Sequence, residues 1–326
     1  MSVFLILVVA FLLIVTLVQL LRVSELLSKI KNQDVNEVSD NDNNTQGWLF
    51  LVIGFGFIAF VIWQMVNWSH LLLPPAASEH GVQIDGLMNI SMTLILVVFF
   101  VLSPMLFIFA YKYRGKKSRK AYFFSHNNKL EVVWTVAPTI VLTALIIYGL
   151  KTWDRAMNVE VTKNTKIIEV YAKQFGWTAR YSGEDNVLGD ANFRLVRGPN
   201  VLGVDMLDPH AADDKITREV HLVVNKPVML KFRSQDVIHS AYLPHFRVQM
   251  NCVPGIITQF GFTPNKTTKE MKEQEGDEFD YILLCNKICG GGHWNMGIKF
   301  IVETQEEYDA WYANQETLGK QLLTLK

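Results

Sequence analysis

Four stretches of this sequence are long and apolar enough to cross a bilayer as helices, and nothing else in the chain constrains its fold so tightly. They run from Val3 to Leu21, Trp48 to Trp68, Ile90 to Tyr111 and Val132 to Leu150, each nearly free of charge at its centre. Roughly 20 consecutive apolar residues span the hydrocarbon as a helix, so four transmembrane helices are predicted. Trp48, Trp63, Trp68, Tyr111 and Trp134 fall near the predicted ends, where amphipathic rings favour the headgroup layer. Pro104 and Pro138 lie inside spans, where neighbouring helices can satisfy the backbone groups a proline frees. The first segment reads as a retained helix rather than a cleaved signal peptide: no positive residue precedes it, Arg22 follows it, and no nearby cysteine offers a lipid anchor.

Orientation follows from the loops, because Lys and Arg are retained on the cytoplasmic side. The loop from Lys112 to Lys129 also holds Arg114, Lys116, Lys117, Arg119 and Lys120, which predicts that it lies inside. The loop from Ser69 to Asn89 has no Lys or Arg and belongs outside. Alternation then places the N-terminus outside, the loop from Arg22 to Gly47 inside, and everything after Leu150 outside.

From Lys166 onward the long apolar blocks give way to short runs of β-branched and aromatic residues separated by Gly, Pro, Asn and Asp, the pattern of strands and turns. Predicted strands are Lys166 to Tyr171, Gly176 to Tyr181, Glu219 to Val224, Val228 to Arg233, Ile257 to Phe262, Phe279 to Leu284 and Gly297 to Val302. Such spacing implies an all-β sandwich or small barrel. The stretch from Ser182 to Asp214 reads as a long excursion outside the core, and Gln305 to Leu323 as one amphipathic helix over the domain edge. Lys+Arg and Asp+Glu both number 31, so no global charge excess invites nucleic acid, which is not expected as a partner.

Three cysteines, Cys252, Cys285 and Cys289, fall close together, and an odd count so placed argues against a disulfide framework and for metal or reactive-thiol chemistry. The run Cys285-Asn286-Lys287-Ile288-Cys289-Gly290-Gly291-Gly292-His293-Trp294-Asn295-Met296 puts two thiols, an imidazole and a thioether within twelve positions, joined by glycines that let the backbone fold closely round a metal. Together they favour copper. Zinc sites rarely use Met and favour a shorter cysteine spacing, while a mononuclear blue-copper site needs one Cys only. Cys252 reads as a small buried hydrophobe, and His210, His221 and His245 as surface or loop residues.

The Cys-x3-Cys-x3-His-x2-Met pattern resembles the CuA loop of subunit II of the haem-copper oxidases, the cytochrome c oxidase subunit II family. Asp236-Val237-Ile238-His239-Ser240 resembles that family's upstream histidine turn, and the similarity extends through Pro244, Val253-Pro254-Gly255, Trp134-Thr135 and Pro138. It covers roughly residues 90 to 305. The resemblance implies an α+β membrane protein in which the four predicted transmembrane helices precede an all-β, cupredoxin-like Greek-key sandwich. The expected division is an extra N-terminal hairpin over 1–68, a subunit II hairpin over 69–158, the copper domain over 159–304 and a tail over 305–326. It further implies a binuclear copper centre bridged by Cys285 and Cys289, with one copper each for His239 and His293, Met296 as a weak ligand and the backbone carbonyl of Lys287 as the last. The implied partners are oxidase subunit I and other oxidase subunits, a cytochrome c or a cytochrome c domain as donor, and membrane lipid. The implied setting is the bacterial cytoplasmic membrane with the copper domain on the periplasmic face.

Two departures stand out. Lys287 occupies the position where the family commonly has a Glu that helps bind magnesium, and a protonated Lys does not ligate a hard cation. The family's Gln-Trp-x-Trp motif is Gln174-Phe175-Gly176-Trp177 here, so the resemblance makes Phe175 the residue facing the donor, while Trp177 reads either as part of the electron path or as a core aromatic. Glu131 precedes Trp134-Thr135 at the offset of a family Glu at the mouth of a proton path, and its other reading is a helix-end charge. The acids Glu184, Asp185, Asp190, Asp205, Asp208, Asp213 and Asp214 gather in the long excursion, read first as a solvated loop and second as a surface that steers a basic cytochrome. No Cys-x2-Cys-His is present for covalent haem. Competing functions are a quinol oxidase subunit, which lacks the copper ligands, nitrous oxide reductase, which needs a propeller domain, and a copper-delivery protein, whose site is typically mononuclear.

Overall fold

A computed structural model of the chain describes residues 2–30 and 38–323. Its helices α1 (Ser2–Ile30), α2 (Asp40–Trp68), α3 (Glu79–Lys112) and α4 (Asn128–Met157) are all long and apolar enough to cross a membrane. Each outruns its apolar block, since polar flanks such as 22–30, 40–47 and 79–89 continue the same backbone hydrogen-bond ladder. Much of the predicted 22–47 and 69–89 loops is therefore helix, and residues 31–37 lie outside the described residues. The fourth helix, whose apolar block equals the first as the shortest of the four, reaches 30 residues.

The chain divides into two compact units, Met1–Asn67 with Ile95–Asn128, and Trp68–Leu94 with Lys129–Lys326. In the first, α2 meets the C-terminal half of α3 through a glycine: a Cβ on Gly54 would lie 2.2 Å from the Phe107 ring, so only glycine admits that ring. Past α3 the basic loop folds back on the start of α2. Arg114 stacks 4.1 Å over Tyr111 and donates to Asn44, and the Lys117 amide donates to Asp40.

The second unit carries the sandwich. Strands β1 (Lys166–Lys173), β2 (Gly176–Tyr181), β3 (Lys215–Thr217), β4 (Val220–Val223), β5 (Val228–Ser234), β6 (His239–Leu243), β7 (Val248–Cys252) and β8 (Thr258–Phe262) are followed by α5 (Thr268–Glu275), β9 (Tyr281–Cys285) and β10 (Gly297–Glu303). They form two five-stranded sheets, β3-β2-β1-β5-β8 and β4-β10-β9-β6-β7. The chain changes sheet after β3, β4, β5, β7 and β8, the crossing pattern of the expected Greek-key sandwich. Ile168, Val170, Leu230 and Phe232 of one sheet share a core with Leu243, Leu283 and Phe300 of the other. Burying each such side chain is worth roughly 1.5–3 kcal/mol. The segment ahead of α3 is stitched to this unit: Ala77 N donates to His245 O, Ser78 Oγ to Phe246 O, and Arg247 grips both carboxylate oxygens of Asp85 at 2.8 and 2.9 Å.

Several expectations need correction. Strands β3, β6 and β7 add to the predicted set; β7 does alternate Val248, Met250 and Cys252 with Gln249 and Asn251, but it is five residues long. The excursion over 182–214 is not outside every core, since Leu202, Val204 and Ala211 bury with Tyr171 and Leu318 in a cluster of their own. The tail is two helices, α6 (Gln305–Ala313) and α7 (Leu318–Leu323), the first opened by a capping box at Thr304 and Glu307. His221 is neither a surface nor a loop residue. It is buried in β4, bonded to Glu303 at 2.6 Å and stacked 3.8 Å from Trp311.

Candidate metal centre

Period-two alternation places the first thiol. In β9 the side chains of Tyr281, Leu283 and Cys285 point inward while Ile282 and Leu284 face out, so Cys285 is the last inward position before the strand ends. On the adjacent strand β6, Ala241 pairs with Cys285, and His239 opens the strand with its side chain fully buried. The Asn286 amide donates to Ser240 O at 2.9 Å and continues the pairing by one residue. His239 and Cys285, 46 residues apart in sequence, thus meet because their strands are neighbours.

Residues 286–296 then leave the sheet as a loop that returns Cys289, His293 and Met296 to the same spot. The Cys285 and Cys289 sulfurs stand 3.8 Å apart. His239 Nδ1 lies 3.8 Å from Cys285 Sγ, and His293 Nδ1 lies 3.7 Å from Cys289 Sγ. Met296 Sδ is 3.9 Å from Cys289 Sγ, and the Lys287 carbonyl oxygen is 3.2 Å from Cys285 Sγ. His239, Cys285 and Cys289 form a group able to hold a metal ion, with ligand atoms all within 4.8 Å of one another.

The donor set suits a soft metal. A disulfide needs sulfurs about 2.05 Å apart, whereas a first-row metal such as zinc bonds thiolate at about 2.3 Å, within reach of both sulfurs at once. Burial, with the Cys285 thiol beside it, pushes the Cys289 thiol up to about 11. Two adjacent thiolates are therefore costly here unless cations neutralise them, which is the linkage that makes metal uptake release protons. Cys252, register partner of His239, is buried, and burial pushes its thiol up to about 12; it takes no part in the group.

The β1–β2 turn lies against this loop. Phe175, 45% exposed, packs on the loop glycines: a Cβ on Gly290 would come within 2.8 Å of its ring and one on Gly292 within 2.6 Å. Gly290 also has φ +137, a conformation that favours glycine. Trp177 is buried, edge-on to His239 at 6.0 Å, and its indole N–H donates to Met296 O at 3.4 Å. Gln174 donates its side-chain amide to Cys289 O, and its backbone amide donates to Asp236 Oδ2 at 2.7 Å. Asp236 Oδ1 lies 2.9 Å from His239 Nε2, so that nitrogen carries the proton and Nδ1 faces the sulfurs. The sequence displayed Gln174 and Asp236 inside motifs without assigning either a role.

Glu131 is not brought to this group. It sits in the first turn of the 30-residue α4, roughly 39 Å from the other end of that helix. The Lys287 side chain is exposed. The acids of the excursion are largely committed to the fold: Asp214 to Arg180, Asp213 to the amides of Glu184 and Asp185, Asp185 to His210, and Asp208 to the amides of Asp190 and His210.

Two family models match the chain. Cytochrome C oxidase subunit II, transmembrane domain, matches residues 58–152, and cytochrome C oxidase subunit II, periplasmic domain, matches residues 167–304. The chain is 31% identical to the alternative cytochrome c oxidase subunit 2 of Bradyrhizobium diazoefficiens over 273 residues, 83% of this chain and 92% of that one. It is 25% identical to the cytochrome c oxidase subunit 2 of a Synechocystis strain, covering 81% of each. The solved periplasmic domain of subunit II of cytochrome oxidase from Bradyrhizobium japonicum matches at 25% identity over 47% of this chain and 95% of that one, with TM-score 0.32.

Proposed function

Because this chain belongs to the cytochrome c oxidase subunit II family, we propose that it is the electron-accepting subunit of a haem-copper oxidase and holds a binuclear copper centre. The observation that carries this reading is the convergence of Cys285, Cys289, His239, His293 and Met296 on one point. The Cys285 and Cys289 sulfurs, His239 Nδ1, His293 Nδ1, Met296 Sδ and the Lys287 carbonyl would hold the copper pair. When bound, the copper pair supplies one-electron chemistry shared over both metals.

The chain's own residues do the rest. The sandwich presents Cys285 and His239 from paired strands, and Trp177 holds the Met296 backbone, so ligand positions change little with charge. Met296, Cys289 and Cys285, each under 10% exposed, keep bulk water from the soft ligands. Phe175, lying exposed on the loop, is the residue proposed to face a cytochrome c donor, with Trp177 behind it. Glu131 is proposed to collect protons at the inner end of α4 for subunit I, where the oxygen chemistry resides. The proposed setting is a bacterial cytoplasmic membrane, with the hairpin of 69–158 and the extra hairpin of 1–68 among the lipid and other oxidase subunits, and with domain 159–304 and tail 305–326 on the periplasmic side.

Replacement of the bridging sulfurs tests the assignment. Cys285→Ser or Cys289→Ser should abolish the binuclear centre, because an alkoxide does not replace a soft thiolate for copper. Full copper content and full donor-driven oxygen consumption in either variant would overturn the reading.

A further inference from the structure

Cys285 and His239 are secured by the pairing of β9 with β6, but Cys289 and His293 lie beyond the reach of either sheet. Hydrogen bonds inside the loop run over short spans, His293 N to Gly290 O, Asn295 N to Gly292 O and Met296 N to His293 O, and fold it without fixing it to the domain. Among the described residues, the hydrogen bond that reaches the middle of the loop from outside comes from Gln174, whose side-chain amide donates to the carbonyl of Cys289. The same residue reaches the other ligand-bearing segment. Its backbone amide donates to Asp236 Oδ2 at 2.7 Å, and the other oxygen of Asp236 engages His239 Nε2 at 2.9 Å. Gln174 therefore touches two segments that are 62 and 115 residues away from it in sequence.

We propose that Gln174 is a positioning residue for the metal centre, one that ties the Cys289 arm of the loop and the Asp236-His239 pair to a single point on the opposite sheet. This rests on the copper reading above. Gln174 touches no ligand atom; it acts through a carbonyl and a carboxylate. The chemistry at the position is specific, because the Cys289 carbonyl only accepts, so the side chain opposite must donate. A carboxylate of the same shape would set an acceptor against an acceptor. The neighbouring Phe175 ring, lodged on Gly290 and Gly292, keeps the loop at the distance this hydrogen bond needs.

The test compares wild type with Gln174→Glu and Gln174→Met, as full-length protein purified from membranes. Copper retention against a chelator, the electron paramagnetic resonance spectrum and the reduction potential are measured on the loaded proteins, and the melting temperature on the metal-free ones. Both variants should retain copper roughly 2- to 10-fold less tightly, the scale of one lost hydrogen bond. Their spectra and potentials should shift, Glu more than Met, while the metal-free melting temperatures stay at the wild-type value. A wild type with a binuclear signal and variants matching it in retention, spectrum and potential would overturn the positioning role alone. Variants that lose metal-free stability in proportion to copper retention would reduce Gln174 to an ordinary structural contact. A wild type without a binuclear signal would sink both this role and the copper reading.

Discussion

The two cysteine sulfurs stand 3.8 Å apart, yet the molecule holds them by different means. Cys285 is the end of a strand whose alternation is enforced by Tyr281 and Leu283 in a packed core. Cys289 rides on a glycine-rich loop whose position depends on contacts with the β1–β2 turn of the other sheet. One half of the centre is thus a property of the sandwich and the other a property of a loop pressed against it. Damage to the sandwich should cost stability before metal affinity, and damage to the loop the reverse.

The largest expected effect attacks the sandwich half. Glu169 is buried in β1 between Arg180 and Arg233, and Arg180 also bonds Asp214 at 2.9 Å. Burial alone would push the Glu169 carboxyl up, but the two arginines outweigh it and hold it below the usual carboxylate range. Glu169→Gln leaves buried arginine charge underpaired and should cost about 3–5 kcal/mol of domain stability in denaturant titrations. Copper retained per folded molecule should not change; a large drop in that ratio would erase the distinction between the two halves.

A smaller effect comes from the loop. Gly292 has ordinary backbone angles (φ −93), so Gly292→Ala is a purely steric probe of the 2.6 Å approach to Phe175. It should cost about 1–3 kcal/mol of local strain, read as weaker copper retention with little change in the melting temperature of the metal-free protein. Adding Phe175→Ala should restore retention, and a double variant as weak as the single one would show that the ring is not what the glycine accommodates. Met296→Leu is milder still: occupancy should persist while the reduction potential moves, and loss of most of the copper would mean that the thioether holds the metal rather than tunes it.

The smallest effect probes the scaffold by pH. His245 packs edge-on to Phe279 and Tyr281, and burial, then the Arg247 charge, push its imidazole down to about 4. The unfolded chain takes up a proton near pH 6.5 that the folded chain refuses, so this contribution is complete above 6.5 and is lost as pH falls from 6.5 toward 4. His245→Phe should flatten the stability profile in that window. An unchanged slope would assign the acid sensitivity to other groups.

Much of this was legible in the sequence because its signals are local. The four apolar blocks announced the spans, and the β-branched runs at Lys166, Gly176 and Val228 marked strands whose start positions the structure shares. The ligand pattern was visible because Cys285, Cys289, His293 and Met296 share one twelve-residue run. What stayed hidden is tertiary. His221 carries no local mark of burial, since its place is made by Trp311 and Glu303 from the far end of the chain. The brace through Gln174 exists only once two sheets stack. Trp177 is buried with its N–H on the Met296 carbonyl, a core aromatic whose one polar atom meets the loop.

The most direct test of the whole account is the electron paramagnetic resonance spectrum of the copper-loaded full-length protein, recorded alongside its copper content. Two copper ions per chain and one unpaired electron delocalised over both are expected. One copper per chain, with the spectrum of a single localised ion, would contradict the binuclear assignment.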